Sequence, residues 1–239
     1  MTGKVPGSRW GLTVTMGSMN GPQGTAGPSR TLHQFVYGDA PVDEWVAQGD
    51  GDPGEPWNSF ERARELVHSG QRQEAIKIWR QIAVTEGLES RQMLQAWHFV
   101  REAGEQPPAD RAKRVLGAVA EMPVHGGHDL LAAHRDGTAR YLNYSGKAVV
   151  WEDRSVAPIQ SAINDWLAKA QVIANVIGPW DQPALPPLPP GHARLMMLTP
   201  SGPHFGQGPL ADLSADRVAR SFITAATGLM QLVVGRAMA

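Results

Sequence analysis

Two short stretches hold the residues whose types and spacing suit chemistry. In VHGGHD, His125, His128 and Asp129 lie close together, with His134 further along. Neutral imidazoles and a carboxylate can hold zinc or another divalent cation. The spacing matches no closed zinc site, and His134 falls on the following strand, so the three histidines meet only if the loop folds back. Against metal binding by His125, His128 and His134 stands a surface loop with incidental histidines. The second stretch, TPSGPHFGQGP, runs from Thr199 to Pro209. Ser201 and His204 suggest a nucleophile and its base. With Gly206 and Gln207 they form a glycine-rich loop or short return strand before a helix, a place where backbone N–H groups meet anions or small ligands. There is no G-x-S-x-G elbow and no P-loop lysine. A tight turn that needs small residues accounts for the same letters.

A third group lies on a predicted hairpin: Arg140, Tyr141, Asn143, Tyr144, Lys147, Trp151 and Glu152. Its outward side suits a partner or small ligand, while Arg140 paired with Glu152 makes an ordinary cross-strand contact. The proline-rich run at residues 183–191 reads as polyproline II, either a docking ligand for an aromatic groove or a stiff spacer over its own domain. No linear spacing marks paired carboxylates. With Cys 0, disulfides, thiolate zinc sites, iron–sulfur clusters and cysteine nucleophiles are excluded. No cofactor is expected.

The elements that must position these residues begin near Asn58. Asn58 and Glu61 read as a capping box, and Ala63, Leu66 and Val67 give an apolar face ended by Gly70. A second helix over residues 72–85 presents Ala75, Ile78, Trp79 and Ile82. A third starts near Ser90 and carries Leu94, Trp97 and Val100. Residues 115–124 are ambiguous between helix and strand. Residues 129–152 read as a meander with turns at Asp136–Gly137 and Ser145–Gly146. A helix from Pro158 to Val176, a buried strand over residues 193–200 and a last helix over residues 214–236 complete the order. The class is α+β: an N-terminal helical hairpin, then an antiparallel sheet covered by helices. Three parts are expected: an arm over residues 1–57, a helical unit over 58–112 and an α+β unit over 113–239.

The arm is distinct. Residues 1–56 contain 11 Gly and 6 Pro, too little apolar surface to offset the entropy of ordering. Yet it carries Trp10, Phe35, Tyr37 and Trp45, large contact residues of the kind a docking peptide presents. The competing expectation is that these aromatics pack back onto their own domain.

The formal net charge of -1 and the lack of basic runs argue against nucleic acid. The N-terminus lacks a continuous apolar signal region, which suggests a cytoplasmic protein. The uncharged stretch between Arg220 and Arg236 falls short of the roughly twenty apolar residues a bilayer needs. It reads as a buried helix, with peripheral membrane contact left open and spanning not expected.

Two resemblances accompany this reading. Residues 63–83, with Ala63, Leu66, Gly70, Ala75 and Trp79, resemble a single tetratricopeptide-type helical hairpin. DGTARYLNYSGKAVVWE (136–152) and LTPSGPHFGQGP (198–209) resemble signature stretches of a bacterial protein family with no assigned activity. That implies a bacterial, soluble origin and transfers no catalytic residue. The functional expectation is a non-catalytic protein-binding or accessory subunit of a larger bacterial assembly, held through residues 1–56. The alternatives are a small-ligand-binding protein or hydrolase using residues 199–209, and a peripheral component of a membrane-associated complex.

Overall fold

In the computed structural model, residues 36–47, 51–182 and 184–237 are described. Among them are six strands: β1 Gly117–Val124, β2 Gly127–His134, β3 Ala139–Leu142, β4 Ala148–Trp151, β5 His192–Thr199 and β6 Gly202–Pro209. They form one antiparallel sheet in the order β4-β3-β2-β1-β5-β6. The ambiguous residues 115–124 become β1, whose Val119 and Ala120 point to opposite faces and are both buried. A strand covered on both faces reads as a continuous apolar run rather than an alternating one, which is why periodicity alone left it open.

Seven helices are described: α1 Trp57–His68, α2 Arg72–Val84, α3 Ser90–Glu102, α4 Ala109–Ala112, α5 Ala157–Val176, α6 Leu210–Ala215 and α7 Arg217–Ala237. The class is α+β. Helices α1 to α3 pack on one side of the sheet, the N-layer face, where Phe60, Trp79 and Phe99 join Val119, Ala132, Met196 and Leu198 in one apolar cluster. Helices α5 and α7 cover the other side, the C-layer face, where Trp166, Phe222 and Leu229 meet Ala118, Leu131, Leu195 and Met197. The helical unit and the sheet therefore share a core.

The expected capping box at Asn58 is replaced. Helix α1 begins at Trp57 without a side-chain cap, and Asn58 Nδ2 instead donates to Asp52 Oδ1 at 2.8 Å. The capping box is found on α3, between Glu89 and Gln92. Helix α3 is also locked to the β2–β3 turn. Ser90 N donates to Asp136 Oδ2 at 2.6 Å, and Asp136 N donates to Ser90 Oγ at 3.1 Å. Gly137 completes that turn at φ +86°, a conformation that L side chains rarely adopt.

Candidate functional site

The glycine-rich stretch after β5 is a strand. Residues Gly202–Pro209 pair with β5 from Thr199↔Gly202 to His192↔Pro209, so the expected ligand loop reduces to the tight turn at residues 200–201. Alternation then separates the four candidates. His204 and Gly206 stand on the C-layer face and Gln207 on the N-layer face. The sheet thus splits this set, and only Ser201 and His204 come together.

Ser201 Oγ lies 3.2 Å from His204 Nε2, and His204 Nδ1 lies 3.0 Å from the carbonyl of Ile177, at the end of α5. A carbonyl can only accept, so Nδ1 carries the proton and Nε2 offers its lone pair to the serine hydroxyl. Burial holds the His204 pKa below the ordinary imidazole value. The Ile177 carbonyl opposes this shift and Lys113 adds to it. Thr199 Oγ1 donates to the Gly202 carbonyl at 2.9 Å and stands 2.9 Å from Ser201 Oγ. This is the arrangement of a serine beside a neutral, oriented base. Its surroundings are those of a packed turn. Ser201 N donates to Ala112 O at 2.9 Å, Arg101 Nη1 donates to Pro200 O at 2.6 Å, and His204 is fully buried. An oxyanion needs N–H groups aimed at the developing charge, and the serine's own N–H is already engaged.

On the N-layer face the row Glu121, Arg194, Gln207 crosses three strands in register. Arg194 is only 4% exposed. Its Nη1 donates to Glu121 Oε1 at 3.0 Å, its Nε to Gln207 Oε1 at 3.0 Å, and its Nη2 to the Pro186 carbonyl. Gln207 Nε2 donates to Pro187 O at 3.2 Å, and Trp180 packs edge-on against Phe205 with centroids 5.0 Å apart. The polyproline stretch is thereby fastened to its own sheet. Arg194 was not among the sequence candidates, although a lone arginine inside the apolar run ARLMMLT signals a buried charge that needs a partner.

The three histidines are dispersed. His125 sits at the β1–β2 turn, and His128 Nε2 lies 3.1 Å from the His192 carbonyl. His134 is at the far end of β2, about 20 Å from His128 along an extended strand, and fully buried with Nε2 3.0 Å from Val36 O. Among the described residues no group of three or more His, Cys, Asp or Glu could hold a metal ion. The metal expectation is corrected accordingly: strand geometry carries His134 away from the turn, and its ring is a core group. Burial and the neighbouring Arg140 hold its pKa at about 4. Asp129 instead accepts from the Tyr141 hydroxyl at 2.5 Å and from Tyr144 N at 3.0 Å.

The hairpin expectation also changes. Arg140 pairs across from Val150 rather than Glu152, and it is buried on the N-layer face beside His134. The aromatics of the arm fall into two sets. Trp10 and Phe35 lie outside the described residues. Tyr37 and Trp45 are 5% and 3% exposed, packed in the N-layer core, with Trp45 against Trp57 and Phe60. They are core residues of this fold and not an open docking surface. The root of the arm is clasped by Gln95, whose Oε1 accepts from Ala40 N at 2.9 Å and whose Nε2 donates to Ala40 O at 2.7 Å. Gly38, at φ +63°, makes this approach fit, since a Cβ there would stand 2.5 Å from Arg91 O.

The residues between Arg220 and Arg236 form most of α7, but only one stripe of them is buried: Phe222, Ala226, Leu229 and Val233. The helix is long and apolar enough to cross a membrane by length and composition, yet its most apolar window is only 28% buried. Beside it runs an open groove of about 480 Å³, lined by Ala162, Asp165 and Lys169 of α5 and by Ser221, Ala225, Gly228 and Leu232 of α7, among others. The buried helix expected from sequence is thus a half-covered one. No protein-family model matches this chain, and no curated protein is similar to it.

Proposed function

We propose that this protein is a non-catalytic binding or accessory subunit of a larger bacterial assembly. It docks to a protein partner through the N-terminal segment that carries Trp10 and Phe35. The observation that carries this reading is how the reactive side chains are used. Ser201, His204, His134 and Arg194 all make hydrogen bonds within the fold, and His204, His134 and Arg194 are buried. The clasp between Gln95 and Ala40 supports it further, because it gives the segment before Val36 a fixed point of attachment.

Deletion of residues 1–35 tests this reading while leaving Val36, Tyr37 and Trp45 in the core. The truncated protein should keep the circular dichroism spectrum and melting temperature of the full chain and lose the partner that co-purifies with it. Retention of that partner would refute the tether.

A second reading, a serine hydrolase, is favoured by the 3.2 Å Ser201–His204 contact. A fluorophosphonate probe separates the two. Labelling that disappears in both Ser201→Ala and His204→Ala would replace the first reading with this one, and an unlabelled protein supports the first.

A further inference from the structure

We infer that the chain forms a two-fold homodimer in which α7 packs antiparallel against α7 of a second copy, with the axis passing beside Ala225. Helix α7 uses one stripe for its own core. The neighbouring stripe, Val218, Ser221, Ala225, Gly228 and Leu232, repeats at helical spacing and carries no charge until Arg236. This stripe flanks the groove beside α5, whereas the fully exposed side of α7 carries Arg220, Thr224, Thr227 and Gln231. Here Val218 is 37% exposed and Leu232 42% exposed, and a Cβ added at Gly228 would meet nothing within 4 Å.

The order of residue sizes along the stripe suits a copy of itself. Ser221, Ala225 and Gly228 are small and sit at the middle, where the two backbones come closest. Val218 and Leu232 stand at equal distances on either side of Ala225, about two helical turns away. In an antiparallel pair each Leu232 therefore meets the Val218 of the other copy, which is the self-complementary contact a two-fold interface requires.

Charge decides between antiparallel and parallel. About the same centre, Arg236 falls near Asp216, which stands at the start of α7 in the second copy. A parallel pair would instead set Arg217 and Arg220 against their own equivalents. Asp216 and Arg236 are both exposed. Within its own chain Arg236 also faces Asp153, whose carboxyl is held below its ordinary value chiefly by hydrogen bonds from Ser155. A formal net charge of -1 adds little repulsion between copies.

Sedimentation equilibrium on the full chain, across a wide concentration range, should return a dimer. Because the chain has Cys 0, Ala225→Cys supplies a single thiol beside its equivalent, and oxidation should give a disulfide-linked dimer on a non-reducing gel. Ala109→Cys, exposed on α4, should stay monomeric there. Leu232→Glu should weaken the dimer at least about tenfold without changing the circular dichroism spectrum. Arg236→Asp should weaken it as well, and Arg236→Lys should not. A monomer at every concentration overturns the inference, as does a dimer insensitive to L232E that cross-links equally through A109C. A monomer that floats with anionic liposomes assigns the face to a membrane instead. A monomer that dimerises only after deletion of residues 1–35 assigns the groove to the chain's own N-terminal segment. Either result also refutes the dimer.

Discussion

The two faces of the sheet are covered by different means. The C-layer face is mainly apolar: α5 and α7 meet it through Ile159, Ile163, Trp166, Phe222 and Leu229, while polar ties lie at its margin, where Gln160 Nε2 donates to Gly137 O, Gln171 Oε1 accepts from Val115 N and His204 meets Ile177 O. The N-layer face is apolar too, but it is crossed by directional polar contacts. Gln95 clasps Ala40, His134 meets Val36, Ser90 and Asp136 exchange hydrogen bonds, and Arg194 joins Glu121 to Gln207. Apolar contact is non-directional and tolerates sliding, whereas a buried hydrogen bond is costly to leave unmade. The N-layer is therefore fixed in register by polar groups that cross it, and the C-layer by shape and volume with polar ties at its margin.

The largest expected effect breaks the apolar middle of the C-layer face. Trp166 is fully buried and packs against Phe222 at 5.2 Å between centroids. Trp166→Ala should cost about 3–5 kcal/mol in urea unfolding. On the N-layer face, Arg194→Met leaves Glu121 without its partner and should cost about 3 kcal/mol. The double change with Glu121→Leu should recover most of that, because removing both charges removes the desolvation cost.

The next effect depends on pH. His134 binds a proton near 6.5 in the unfolded chain but only near 4 in the fold, where burial disfavours its charge. The folded state therefore binds fewer protons between these values. Stability should be full above about pH 6.5 and fall as pH drops toward 4, by up to about 3 kcal/mol. Burial shifts His204 in the same direction. Unfolding midpoints at pH 7 and pH 5 measure this, and His134→Gln should reduce the difference.

Two smaller changes sharpen the contrast. Gln95→Ala strips both partners from the buried backbone of Ala40 and should cost about 2 kcal/mol. A loss well below that in urea unfolding would mean that the clasp does not fix the register. Ser201→Ala removes one hydroxyl from an already pinned turn and should cost less than about 1 kcal/mol by the same measurement.

Much of the architecture was legible in the residues. Gly70 and Gly104 end their helices at positive φ, Gly87 lies in the turn after an extended Thr85 that stops α2, and the turns at Gly137 and Gly146 fall where Asp-Gly and Ser-Gly stand. These signals are local, and local chemistry decides them. The clasped segment was not legible in the same way. Residues 36–47 read as part of a glycine- and proline-rich arm, yet Val36, Tyr37, Ala40 and Trp45 belong to the core. What places them there is Gln95 on Ala40, His134 on Val36 and the rings of Trp57 and Phe60 on Trp45, and no periodicity within the arm announces partners at such distances. The candidate sites divide along the same line. The closeness of Ser201 and His204 follows from the place of Ser201 in the tight hairpin turn that leads into β6, but only the pairing of β6 with β5 puts Gln207 on the opposite face and buries the imidazole.

By itself, then, the sequence determined the longer helices, the turns, the α+β class and the absence of any thiol chemistry, because each rests on residue type or short-range spacing. Tertiary structure decided that His134 and His204 became core groups, which arginine was sealed with a carboxylate, and which side of α7 was left open. Those outcomes depend on what packs against each residue from across the sheet.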